Sequence, residues 1–270
     1  MSRADIAQLA RDILASAKYA DADLCADTVI DLLEREIPLY RSQKDAVKAV
    51  RKKLHNIVAP YLGDPDYAGL GRELEEAVPA GRTREVCARI LASHASTNER
   101  LSILAEFYPR LFALTGPPAS ILDLACGLNP FSLPWMDLAP TAEYRAYDIH
   151  RPRVGLINHF LELLGRPPLA EVRDILVSPP ETRADLAFFF KEAHRFEQRQ
   201  HGCNRAFWLA LPVRWLLVSL PPTGLTGRSS LVEGQRRLVH QTIAGLDWPV
   251  TEIAFQNELV FCIDKSGAAG

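Results

Sequence analysis

Three carboxylates fall late in consecutive apolar runs of the chain: Asp123 in "SILDLA", Asp148 in "EYRAYDI" and Asp174 in "AEVRDIL". The intervals between them leave room for a helix and the next strand. In open α/β sheets, ligands bind outside the carboxyl ends of the strands, where the strand order reverses. An acid ending the second strand can accept both ribose hydroxyls of a nucleoside. One ending the third can accept the exocyclic amine of adenine, while backbone amides read the ring nitrogens. A single glycine, Gly127 in "ILDLACGLN", follows the first strand and lets the backbone come close to a ligand. Asp123 would hold that turn, or a ligand's ammonium, through charge-assisted hydrogen bonds. A dinucleotide site wants G-x-G-x-x-G, so that a pyrophosphate can rest on a helix N-terminus. Here the continuation is "CGLNPFSL", with Pro130 suited to a first helical turn and no second glycine. A nucleoside cofactor without a pyrophosphate fits better, which points to S-adenosylmethionine over NAD.

Such acids need a sheet to carry them. From Ser120 onward, short apolar runs alternate with helix-like segments: "SILDLA", "EYRAYDI", "AEVRDIL", "DLAFFFK" and "WLLVSL", then "VTEIAFQ" and "ELVFCID". Five strands alternating with helices predict a mostly parallel sheet covered on both faces. The last two runs are too close for a crossover helix, so they predict an antiparallel hairpin. The fold class expected is α/β: a Rossmann-like, seven-stranded sheet with a terminal hairpin, which resembles the general shape of the S-adenosylmethionine-dependent methyltransferase core, preceded by a helical N-terminal domain. In that first part, "IAQLARDILAS", "ADTVIDLLEREI" and "KDAVKAVRKKLHNIVAPYL" place apolar residues at helical intervals, with Asp27 and Ser42 at positions that favour N-caps. After the turn-rich "GDPDYAGLG" and "VPAGRT", one more helical run continues through Arg100 to Leu114. The expected division is a helical domain over 1–80, a helical linker contributing to the cofactor pocket over 81–118, and the cofactor-binding domain over 119–270.

Composition excludes several classes. With 48% hydrophobic and 24% charged residues and a net charge of −2, the 270-residue chain has the make-up of an ordinary soluble globular protein. No run approaches the ~18 apolar residues of a membrane span. The start, "MSRADIAQLARDILA", carries Asp5 and Asp12 and lacks the apolar stretch of a signal peptide, so a cytoplasmic protein is expected. Five scattered cysteines without a C-x-x-C pair, and seven histidines without an H-E-x-x-H, give no reason to expect a disulfide framework or a metal site. Cys126, attached to a buried strand, reads as a small apolar packer rather than a nucleophile.

Certain words are more specific than any periodicity. "SHASTNERL" (Ser93 to Leu101), "ILDLACGLNPF", "YDIH" and "RDIL" occur in this order, over a chain that also carries "KYADADLCADTV" and "RKKLH". Together they resemble the aminoglycoside-resistance 16S rRNA (guanine-N7) methyltransferase family. The resemblance implies transfer of a methyl group from S-adenosylmethionine, leaving S-adenosylhomocysteine, to N7 of guanine 1405 in the decoding-site helix 44 of the 30S subunit. It also implies the aminoglycoside resistance that follows. By the same resemblance His94, Ser96 and Arg100 lie at the methionine end of the cofactor, with Arg100 pairing its carboxylate. Asp123, Ala125 and Gly127 would line the pocket, Asp148 and Ile149 would hold the ribose, and Asp174 and Ile175 would frame the adenine. Lys191, ending "DLAFFFK", resembles a family lysine close to the reaction centre. A monomer acting on 16S rRNA in the 30S subunit is implied, with no membrane and no metal. Guanine N7 has a free lone pair and no proton, so no general base is expected. Such an enzyme works by alignment and electrostatics. Phe131 and Trp135, just after the glycine, are candidates to stack the base, though core roles suit them better.

Between Arg35 and His55 stand seven lysines and arginines against two acids. Lys44, Lys48, Arg51 and Lys52 share one helix face, with Lys53 beside them, while Val47, Val50, Leu54 and Ile57 take another. The pattern fits a helix with one side packed and the other either a solvated charged face or a surface that meets phosphate. The resemblance implies the latter, with Arg228 as a further RNA contact. The carboxyl-terminal third departs from the family. "KEAHRFEQRQ" brings Glu192, His194 and Arg195 where leucine and proline are usual, and His194 reads as an exposed helix residue. In "SLPPTGLTGRSSLV", Ser219, Pro221, Leu225, Gly227 and Arg228 match. Thr223 stands for a basic residue, Ser230 for a lysine and Val232 for a methionine, on the side expected to face the target base. A same-lineage enzyme with an altered target or weak activity therefore stays open, as do a non-catalytic RNA-binding homologue and a small-molecule methyltransferase.

Overall fold

The computed structural model describes residues 2–58, 65–223 and 230–268. Seven strands form one sheet: β1 Ser120–Leu124, β2 Glu143–Asp148, β3 Ala170–Val172, β4 Ala184–Phe190, β5 Val213–Leu220, β6 Val250–Ala254 and β7 Leu259–Asp264. Their order is β3-β2-β1-β4-β5-β7-β6. The first five are parallel, and β7 runs antiparallel between β5 and β6. All seven runs picked out by apolar patterning are strands, including the terminal hairpin. Alternation along each strand divides two cores. Leu186, Phe188 and Phe190 of β4 enter the cluster on one face, and Ala187 and Phe189 enter the cluster on the other. β1 lies between β2 and β4, so the chain order reverses there and a crevice opens at the strands' carboxyl ends.

Helices flank the sheet less regularly than strict alternation predicts. After β1 comes a 3-10 segment, Asn129–Trp135, rather than an α-helix. Pro130 and Pro134 each lack an N–H, and the second sits where an α-helix would need its i→i−4 bond. Between β3 and β4 there is no helix, and Pro179 and Pro180 occupy the connection. The other crossovers carry α8 Arg151–Leu163, the pair α9 Ala193–Arg199 and α10 Cys203–Ala210, and α11 Val232–Thr242.

Upstream stand α1 Arg3–Leu14, α2 Ala26–Glu36, α3 Gln43–Val58, α4 Tyr67–Ala77, α5 Thr83–Ala92, α6 Ala95–Leu101 and α7 Leu104–Thr115. Ser2 caps α1 through a reciprocal capping box with Asp5. The Ser42 hydroxyl accepts the Asp45 N–H at 3.1 Å, as an N-cap should. Asp27 does not cap α2. It lies in the first turn, because the preceding Cys25 N–H is drawn off to the Ile149 carbonyl at 2.8 Å. The single run expected after "VPAGRT", through Arg100 to Leu114, is three helices, interrupted at His94, the N-cap of α6, and again at Ile103. α1, α2 and α3 close around Ile13, Val29, Leu33, Val50 and Leu54, with Ile149 packed against them. Leu74 and Ala77 of α4 belong instead to a cluster packed on the sheet.

Candidate active site

A cleft of about 910 Å³ opens at the strand tips and is bounded on one side by α3, through Lys53, Asn56 and Ile57. Asp148, the last residue of β2, is buried. Its Oδ2 accepts the Gly127 N–H at 3.0 Å, and its Oδ1 accepts the His150 N–H at 2.9 Å. The wholly buried Arg153 lies 3.3 Å from Oδ2. The turn after β1 is thereby tied to the tip of β2. Gly127 has φ +53°, and a Cβ there would meet nothing within 4 Å. The demand for glycine is conformational, since a side chain at this φ would be strained. Ala125 has φ +51° without being glycine and lies at the same turn.

Asp123 also reaches the cleft, but its partners are in the turn. Its Oδ2 accepts the Tyr144 hydroxyl at 2.5 Å and the Asn129 side-chain N–H at 2.9 Å. Burial pushes its pKa up to about 7, against those two hydrogen bonds. Asn129 Oδ1 in turn accepts Arg100 at 2.7 Å and the Tyr108 hydroxyl at 2.8 Å. Arg100 is buried, and its guanidinium forks onto Glu258, with bonds of 3.0 Å and 2.6 Å. The residue expected to meet a cofactor carboxylate thus already holds a protein carboxylate, with two of its five N–H donors left over. At the start of α6, the His94 ring shares a 2.9 Å hydrogen bond with the Ser96 hydroxyl.

Lys191 follows β4 with φ +59°. Its ammonium donates to Glu99 at 2.6 Å and to the Ser96 carbonyl at 3.2 Å, with Glu258 at 3.7 Å. Next to it Glu192 lines the cleft, and burial raises its carboxyl to about 7. His194 also lines the cleft, and burial lowers its imidazole to about 4, so it is a cleft residue rather than the exposed helix residue expected. Asp174 lies two residues past β3 and accepts the Thr28 hydroxyl and Arg199, each at 2.7 Å. Ile175 beside it is buried, and Ile149 faces the N-terminal cluster.

The expected cofactor residues therefore meet around one cleft. Asn129, Glu99 and Arg199 also line it, and Glu258 and Thr28 bond to its Arg100 and Asp174, without having been singled out. Glu258 carried a signal, being the one acid entering the apolar strand "ELVFCID", whereas Thr28 and Arg199 carried none. Lys44, Lys48, Arg51 and Lys52 lie exposed along α3, while Lys53 turns to Glu36 at 2.5 Å and to the cleft. Arg228, with Leu225 and Gly227, lies outside the described residues. Thr223 lines the cleft and bridges to Ser230, but Val232 packs toward the sheet's second cluster and is not part of the lining. Phe131 is wholly buried against Phe160 at 5.0 Å, and Trp135 packs on the core, so neither reaches the cleft. Cys126 is buried and its thiol is pushed well above its ordinary range. Among the described residues no group of three His, Cys, Asp or Glu is placed to hold a metal ion, and no helix is long and apolar enough to cross a membrane.

The family model described as ribosomal RNA methyltransferase (FmrO) matches residues 15–262. The chain belongs to this family. A 16S rRNA (guanine(1405)-N(7))-methyltransferase of Frankia casuarinae is 32% identical over 247 residues, covering 88% of this chain and 87% of the relative. One of the same name from Micromonospora echinospora is 31% identical over 230 residues, covering 82% and 83%. The solved structure of the 16S rRNA methyltransferase RmtF in complex with S-adenosyl-L-homocysteine superposes with a TM-score of 0.76 at 30% identity, covering 96% of this chain and 98% of the other. The strand order and terminal hairpin described above are thus those of a methyltransferase family that modifies ribosomal RNA.

Proposed function

We infer that this chain transfers a methyl group from S-adenosylmethionine to N7 of a guanine in 16S rRNA. The observation that carries the reading is the placement of Asp148 and Asp174 at neighbouring strand tips around the positive-φ turn at Gly127, in a chain of this family. The donor set suits a nucleoside. Asp148 and Asp174 are buried carboxylates on the cleft, each holding an acceptor site beyond those its protein donors use. Asp148 would take ribose hydroxyls and Asp174 the adenine amine, between Ile149 and Ile175. His94, Ser96 and the spare N–H groups of Arg100 would meet the amino-acid end. When bound, the cofactor supplies an electrophilic methyl group on a sulfonium.

Guanine N7 needs no deprotonation, so the protein's part is to align the base, exclude water and hold charge. Glu258 fixes Arg100 and stands 3.7 Å from Lys191, while Glu99 fixes Lys191. Lys191 thereby presents a positioned cation beside the cleft. In A-form RNA the groove that displays N7 is deep and narrow, so the guanine would be flipped out to enter. The exposed face of α3 would meet phosphate.

The finer reading is guanine 1405 of decoding-site helix 44, with the 30S subunit as substrate, a monomeric enzyme, a cytoplasmic setting and aminoglycoside resistance as the outcome. It is supported by the names of the relatives and by the shared words around Gly127. Incubating the protein with 30S subunits and labelled cofactor, then mapping the modified base, tests it. Incorporation at N7 of guanine 1405 is expected, and cofactor binding without incorporation overturns it. Thr223 on the cleft favours one second reading, a changed target base. A methylated guanine mapped elsewhere in 16S rRNA would support that reading.

A further inference from the structure

The acid at the third strand tip is shared between the sheet and the N-terminal helices. Asp174 Oδ1 accepts the Leu176 N–H at 3.1 Å, while Oδ2 accepts the Thr28 hydroxyl from α2 and Arg199 from α9. The second arm of Arg199 donates to Asp31, also on α2, at 3.0 Å. Asp31 in turn accepts Arg35 at 2.7 Å. The Arg199 side chain is 10% exposed, and its buried Nε–H has no acceptor among the described residues. Among the described residues, two carboxylates from different parts of the molecule are therefore all that fixes this guanidinium. The neighbouring tip is stitched the same way. The Cys25 N–H donates to the Ile149 carbonyl at 2.8 Å and the Arg151 N–H to the Asp23 carbonyl at 3.1 Å.

A carboxylate offers about four lone-pair sites, and three of those on Asp174 are taken, leaving one on Oδ1. A donor that fills it completes the cluster and fixes the carboxylate on which Thr28 and Arg199 converge. A buried arginine is stable only while paired, so the seat of α2 and the geometry of Asp174 depend on each other. α2 packs on α3 through Val29, Leu32 and Leu33 against Val50 and Leu54, and the outer face of α3 is the basic one.

We propose that Arg199 is a positioning residue that couples the adenine end of the cofactor pocket to the RNA-docking helices, so that cofactor and small-subunit binding reinforce each other. The coupling rests on the cofactor and substrate proposed above. Its carrier is the ordering of α2 when Asp174 is fully engaged, and linkage makes the effect equal in both directions.

Calorimetry with S-adenosylhomocysteine and binding measurements on 30S subunits, each with and without the other ligand, complete the thermodynamic cycle. The wild-type chain is expected to show a coupling factor within the usual range of about 5–150, with slower amide exchange over 26–36 when S-adenosylhomocysteine alone is added. Asp31→Asn, which leaves the Arg199–Asp174 pair intact, should bring the factor close to one while changing cofactor affinity only a few-fold. Arg199→Lys reaches a single carboxylate and should do the same. Arg199→Gln should also weaken cofactor binding by about tenfold or more, as expected for losing a hydrogen bond to a charged group. A wild-type factor of one, or Asp31→Asn and Arg199→Lys variants that keep the wild-type factor, overturns the proposal even if Arg199→Gln fails to fold. A wild-type chain that methylates 30S subunits but shows no coupling defeats only this inference, whereas one that binds cofactor without methylating them defeats the proposed function.

Discussion

At the scale of single residues, the cleft gathers groups whose charge states burial has moved. His194 has its imidazole pushed from an ordinary 6.5 down to about 4 by burial, helped by Arg195 and Lys191. Between those pH values the unfolded chain binds a proton here that the folded chain does not, so stability falls as pH drops from 6.5 toward 4. Glu192 is displaced the other way, from 4.5 up to about 7 by burial. The folded chain keeps that proton longer than the unfolded one, so this group's contribution declines as pH rises from 4.5 to 7. His194→Asn should therefore flatten the acid limb of stability against pH, and Glu192→Gln the limb approaching neutrality. Urea unfolding across pH 4–8 checks both, and curves parallel to wild type would contradict the assignment. Asp148 makes a third prediction at this scale. Asp148→Asn keeps the shape but removes the charge, and should weaken S-adenosylhomocysteine binding by about ten- to a hundredfold, the value of hydrogen bonds to a charged acceptor. Calorimetry reads this directly.

At the scale of elements, the hairpin of β6 and β7 does more than close the sheet. Its turn delivers Glu258 onto Arg100 of α6, with neither side chain more than 3% exposed. Removing one partner of a buried pair leaves the other charge uncompensated, at about 3–5 kcal/mol. Glu258→Ala should therefore lower stability by that order and displace Lys191 as well, seen as a drop in denaturation midpoint together with lost methyl transfer. Helix α3 divides its labour between Val50 and Leu54, which are buried, and Lys48 and Arg51, which are exposed. Charge reversal at both basic positions should weaken 30S binding and reduce the slope of log affinity against log salt by about 1 per lost phosphate contact. Cofactor affinity should stay put. A salt slope equal to that of wild type would argue that α3 does not meet phosphate.

At the scale of the whole molecule, two clusters sandwich the sheet and a third fills the N-terminal helices, with Ile149 at the junction. The residues proposed to hold the cofactor lie where these bodies meet, so the cleft is built from segments far apart in the chain. Short apolar runs marked all seven strands, because burial of strands such as β1, β4, β5 and β7 on both faces is recorded locally, in the residues themselves. The acids at their tips were legible for the same reason, as was the turn that requires Gly127. Helix ends were less legible. Pro134 stopped an α-helix after β1, and α2 starts at Ala26, with the Cys25 N–H bonded to Ile149, ahead of the position where Asp27 could cap it. The amino-acid sequence by itself determined the succession of strands along the chain, the acids at the crevice and the family, because each is written in short-range patterns and words. Only the tertiary structure decided that Arg100 faces Glu258, 158 residues away, and that Asp174 answers to Thr28, 146 residues away. No local spacing encodes such pairs. They exist because burial strips these charges of water and obliges each to find a partner wherever the packed chain provides one.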